Sequence, residues 1–165
     1  MKNATLFVDF DHVLFNTENF KKELTPLAFP REIARFLYED AASFLKHAGK
    51  HFDLILFTEG EEDFQKEKLE KSGILRLAEF REVIVLPSET KAQKIPELMK
   101  TYQNRLLLID DKPENVEAAI DAGLAVIRVK RGKYSEQETA KKAIFEVNSL
   151  KEIAEKKILE KWLKI

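Results

Sequence analysis

Two pairs of aspartates stand where chemistry would need them. Asp9 and Asp11 follow the apolar run Ala4–Val8, and Asp110 and Asp111 follow Leu106–Ile109. Two apart at a strand end, Asp9 and Asp11 can project to one side as the strand opens into a loop. Carboxylates held that close repel one another and favour a hard cation between them. A donor set of oxygens alone, in a chain without cysteine or clustered histidines, points to Mg²⁺ rather than zinc. With such an ion on a phosphate, one aspartate can attack phosphorus and form an acyl phosphate. The second can protonate the leaving oxygen and later activate water. The other phosphoryl oxygens then need donors and positive charge. Thr58, after the run Phe52–Phe57, and a lysine would supply them.

Such a set works only if the chain brings it to one edge, and the patterning predicts that it does. Ala4–Val8, Phe52–Phe57, Val83–Leu86, Leu106–Ile109 and Ala125–Val129 are short apolar runs suited to parallel strands covered on both faces. Ala143–Val147 would add an edge strand. Helical patterns lie between them: Tyr38 to His47, Glu61 to Lys71, Ile95 to Tyr102, Asn115 to Ala122 with Gly123 at its end, and one C-terminal helix from Ser149 to Trp162. The alternation predicts an α/β fold, a doubly wound and mainly parallel sheet with right-handed crossovers. Asp9, Asp11, Thr58, Asp110 and Asp111 then all fall at the carboxyl edge, where open α/β sheets bind ligands.

The residues carry a more specific likeness. Leu6-Phe7-Val8-Asp9-Phe10-Asp11 followed by His12-Val13-Leu14-Phe15, the run Leu54–Thr58, and Leu106–Asn115 resemble motifs I, II and IV of the haloacid dehalogenase (HAD) superfamily, in the correct order. The resemblance spans about Ala4 to Gly132. It implies a HAD-type phosphatase using Mg²⁺. Asp9 would be nucleophile and metal ligand, and Asp11 general acid/base with its backbone carbonyl on the metal. Thr58 and a motif III lysine would bind phosphate, Asp111 would ligate the ion directly and Asp110 directly or through water, and Asn115 would brace their loop. Lys91 is favoured over Lys94 for motif III because it lies 19 residues before Asp110, nearer the family's interval. The second aspartate separates phosphatases and phosphomutases from dehalogenases. His12 departs from the pattern, since glycine is frequent there.

Bulk properties bound the rest. The chain has 165 residues, about one domain, and balances 28 basic against 29 acidic residues. That balance gives no signal for nucleic acid or an anionic membrane. No run is long enough to span a membrane or form a signal peptide core, so a cytoplasmic protein is expected. We expect a single HAD-like domain over 1–165, with a rudimentary helical cap at about 15–37. So small an insert leaves an open site for a phosphorylated substrate, small molecule or macromolecule. Its Phe15, Phe20, Phe29 and Phe36 read as packing, His47 and His51 as a solvated helix end, and Lys130–Lys133 as a solvated turn. Trp162 reads as helix packing, with a homodimer as the alternative. Two rival functions are a response-regulator receiver, which the order of the acidic motifs disfavours, and a catalytically silent HAD-like binding module, although no motif residue is missing.

Overall fold

A computed structural model describes residues 2–164. The apolar runs become strands β1 (Ala4–Val8), β2 (Asp53–Glu59), β3 (Phe80–Leu86), β4 (Arg105–Asp110), β5 (Ala125–Val129) and β6 (Phe145–Val147). They form one sheet in the order β3-β2-β1-β4-β5-β6, and every pairing is parallel. Every residue of β1 is buried, as expected for a central strand covered on both faces. Successive residues serve opposite layers. Leu6, Val8, Leu54, Leu56, Leu107 and Ile109 face one core, while Phe7, Ile55, Phe57 and Leu108 face the other.

The first layer packs against α2 (Ala41–Ala48), α3 (Glu62–Ser72), α6 (Leu150–Glu155) and α7 (Ile158–Lys164); the second packs against α4 (Lys91–Thr101) and α5 (Pro113–Ala122). The chain winds outward from β1 through β2 to β3, then crosses back to β4 and winds the other way. The direction therefore switches between β1 and β4, and a crevice opens at their carboxyl ends. The loop after β1 continues the pairing, with the Asp9 N–H donating to the Ile109 carbonyl at 3.0 Å. Among the described residues, no helix is long and apolar enough to cross a membrane.

Two helices differ from the sequence expectation. The predicted C-terminal helix is broken into α6 and α7 by Lys157, whose φ is +51°. Ile153 and Ile158 are five residues apart, which in a continuous helix turns them about 140° away from each other. The break resets the phase, so Leu150, Ile153, Ile158, Leu159 and Trp162 are all buried. Helix α4 starts at Lys91 rather than Ile95. Thr90 and Gln93 form a reciprocal capping box, and Pro96 lies inside the helix. That earlier start brings Lys91 to the sheet edge.

Between β1 and α2, the insert contains α1 (Thr17–Glu23) and a 3₁₀ turn, Ile33–Phe36. Phe15, Phe20 and Phe36 pack ring on ring at 5.3–6.0 Å and are buried, and Phe29 stacks on Phe64 of α3 at 5.1 Å. The expected solvated turn after β5 is instead an anchor for this insert. Arg131 donates twice to Asp40 at 3.0 Å, also donates to the Val13 carbonyl, and lies 3.7 Å over the Tyr38 ring.

Candidate active site

Burial and charge single out one cluster at the switch point. One carboxylate oxygen from each of Asp9, Asp110 and Asp111 lies within 4.8 Å of the others, and all three residues are buried. Lys91 Nζ sits among them, 2.8 Å from Asp9 Oδ1 and 2.7 Å from Asp110 Oδ2. Lys94 pairs instead with Glu97, outside the cluster. Three carboxylates and one ammonium leave an excess of negative charge in a low-dielectric place. Burial pushes the Asp9 carboxyl well above its usual range, against the pull of Lys91, with Asp110 adding to the rise. Burial also raises Asp111, and the neighbouring charges of Asp9 and Asp110 raise it further. Lys91 stays charged, because Asp110 and Asp9 outweigh the burial that works against it.

The carboxylates are not equivalent. Asp110 is saturated: it accepts from Lys91, from the Lys112 backbone N–H at 3.0 Å and from Asn115 Nδ2 at 3.2 and 3.3 Å. Asp111 Oδ2 is buried and has no hydrogen-bond partner among the described residues. A buried carboxylate oxygen without a donor, beside two further carboxylates, fits a hard divalent cation. The oxygen-only set would suit Mg²⁺, which Asp9 and Asp111 would ligate directly, with Asp110 bracing the loop through Asn115.

Asp11 turns away from this cluster. Its Oδ1 accepts from Thr17 Oγ1 and Lys68 Nζ, each at 2.6 Å, and its Oδ2 accepts from Gln65 Nε2 at 2.7 Å. Burial works against its charge, but Lys68 and these donors outweigh it and hold the carboxyl below the usual range. Thr58, buried at the end of β2, accepts from Gln65 Nε2 at 2.7 Å, which leaves its hydroxyl proton free to donate. These groups line one cleft of about 330 Å³, with Lys91 and Asn115 in its wall. A larger groove of about 570 Å³ beside β3 contains none of the cluster.

Sequence reasoning missed Lys68 and Gln65, taking Glu61 to Lys71 only as a helical pattern. The signal was their spacing. Gln65, Lys68, Leu69 and Ser72 lie at i, i+3, i+4 and i+7, one helical face, and all four are buried. His12 now has a structural account. Its φ is +63°, the left-handed region that glycine adopts without strain, and its ring lies against Gly132. A Cβ on Gly132 would stand 2.5 Å from His12 Nδ1, at a position whose own φ is +74°. Gly132→Ala is therefore expected to cost about 1–3 kcal/mol in urea denaturation. The part due to collision should disappear in a His12→Gly background.

A parallel sheet with paired aspartates at its switch point is the architecture of HAD-type hydrolases, and solved structures agree. A haloacid dehalogenase-like hydrolase from Burkholderia xenovorans aligns with a TM-score of 0.80 at 17% identity, over 99% of both chains. D,D-heptose 1,7-bisphosphate phosphatase from B. bronchiseptica, solved with magnesium and phosphate, gives 0.69 at 14% identity, over 97% of this chain and 99% of that one. A structure from Clostridium difficile described as a phosphatase gives 0.70 at 14% identity, over 93% and 97%. At these identities the likeness is one of fold. No curated protein matches the sequence significantly. The family model of NLI interacting factor-like phosphatases matches residues 4–157. The chain belongs to that family, and with it to the HAD superfamily.

Proposed function

We propose that this protein is a Mg²⁺-dependent phosphomonoesterase that works through an aspartyl-phosphate on Asp9. The observation that carries the reading is the buried Asp9–Lys91–Asp110–Asp111 cluster, with Asp11 in the same cleft. Oδ1 of Asp9 is engaged by Lys91 and the Phe10 N–H, each at 2.8 Å, so Oδ2 is the oxygen available for attack. In the first step Oδ2 bonds to phosphorus and the ester bond to the leaving oxygen breaks, with the minority protonated form of Asp11 supplying the proton. In the second, Asp11 takes a proton from water, which attacks phosphorus and releases Asp9 and phosphate. Lys91 and the Thr58 hydroxyl meet the charge on the phosphoryl oxygens. A bound Mg²⁺, held by Asp9, Asp111 and the Asp11 carbonyl, would supply further charge neutralisation at the transferring group. The fold likeness to a phosphatase solved with magnesium and phosphate supports this reading.

We read the chain as one domain whose insert is a rudimentary cap, so that bulky phosphorylated substrates have access. The test is hydrolysis of p-nitrophenyl phosphate. Turnover is expected with Mg²⁺, lost on chelation by EDTA and recovered when Mg²⁺ is restored. Binding of beryllofluoride without any turnover on a phosphate-ester panel would replace this reading with a silent phosphate-binding module.

A further inference from the structure

Lys68 is a buried lysine in a place with no obvious structural need for one. Its side chain is 3% exposed, and Phe10, Phe15, Phe20 and Phe64 surround its ammonium at 5.5–5.7 Å from their ring centres. An ammonium taken out of water is costly unless it is paired, and a methionine of similar length would fill the same cage at less expense. Its carboxylate partner is Asp11, at 2.6 Å. The four ring faces attract the cation and pin a side chain that is otherwise a flexible stem.

Gln65, one turn earlier, joins Asp11 Oδ2 to Thr58 Oγ1, at 2.7 Å to each. Space for it comes from Gly60, where a Cβ would lie 3.1 Å from Gln65 Cγ. Asp11 itself follows β1 on a loop, so these bonds, with that from Thr17, fix its rotamer. We infer that Lys68 and Gln65 of α3 are positioning residues that hold the Asp11 carboxylate in register with Thr58 for proton transfer. The inference rests on the phosphatase reading above, and it assigns the working face of α3 to Asp11 rather than to the substrate.

Displacing a catalytic group by about 1 Å can cost on the order of 10²-fold in rate. Lys68→Met and Gln65→Met are therefore expected to lower kcat by about 10- to 100-fold with KM within about twofold. In an Asp11→Asn background, single-turnover release of p-nitrophenolate should be no slower with either substitution than without it. An equal loss in that background, unchanged kcat in folded variants, or a raised KM with kcat intact would overturn the inference; the last would make Lys68 a substrate ligand. Thermal melts establish folding, and should Lys68→Met not fold, Gln65→Met carries the same comparison. Wild-type protein without Mg²⁺-dependent turnover would overturn the phosphatase reading and this inference with it. Active wild type with fully active variants overturns the inference alone.

Discussion

Asp9→Asn is expected to lower kcat by at least about 10⁴-fold while raising the melting temperature of the metal-free protein. The two effects have one origin. The carboxylate proposed to attack phosphorus is held beside Asp110 and Asp111, with Lys91 as its only ion-pair partner among the described residues. Burial first, and the charge of Asp110 in addition, make its ionised form costly in the folded chain. Below the ordinary aspartate pKa, about 4, folded and unfolded chains both keep the proton and no penalty arises. As the pH rises, the unfolded chain ionises first and gains free energy that the folded chain lacks, so metal-free stability falls through the window between the ordinary and the raised value.

Asparagine keeps the shape and removes that titration. The gain should be about 1–2 kcal/mol, or roughly 2–8 °C, and should be wider at pH 8 than at pH 5. Mg²⁺ should raise the melting temperature of the wild type by mass action and that of Asp9→Asn by less, so the order of the two narrows or reverses. Scanning calorimetry with and without Mg²⁺, alongside p-nitrophenyl phosphate turnover, checks both halves. A variant that melts lower than wild type in EDTA would contradict the charge argument.

Much of this site was legible because a parallel sheet leaves a simple record in sequence. A central strand buried on both faces is an unbroken apolar run, and the first polar residue after it marks the carboxyl edge; Asp9, Thr58 and Asp110 each stand there. Strand order was not in that record, nor was the register that joins Asp9 to Ile109. Lys68 was hidden for a different reason. Its cage is assembled from Phe10, Phe15 and Phe20 after β1 and Phe64 on α3, so its burial depends on how two distant segments pack. Viewed along α3 alone, a lysine among ten other mostly charged residues reads as solvated. Arg131 was misjudged similarly, since Asp40, the partner that anchors it, lies 91 residues away. The break at Lys157 was visible in principle, because the five-residue gap from Ile153 to Ile158 does not fit one helical stripe.

Lys91→Met is expected to abolish turnover and also to destabilise the metal-free protein by about 3–5 kcal/mol. The loss of rate follows from removing the cation that, on the proposed mechanism, meets the phosphoryl group. The loss of stability follows from what stays behind: Asp9, Asp110 and Asp111, all buried, with no ammonium among them. Packing contributes little to this loss, since methionine matches the lysine stem and still reaches Phe57, whose ring centre lies 5.0 Å from Nζ. The helix contributes little either. Lys91 opens α4, where a positive charge is disfavoured by the helix dipole, and the Thr90–Gln93 capping box is untouched. A loss of this size would take a large part of a domain's usual stability of 5–15 kcal/mol. Adding Asp110→Asn should restore roughly half of it by removing one uncompensated charge, and should restore no activity, because the cation proposed to bind phosphate is still missing. Urea denaturation of the wild type, both single variants and the double variant closes the cycle. If Lys91→Met were as stable as wild type, the carboxylates would have to be taking up protons in place of the ammonium, and Asp110→Asn would then add nothing.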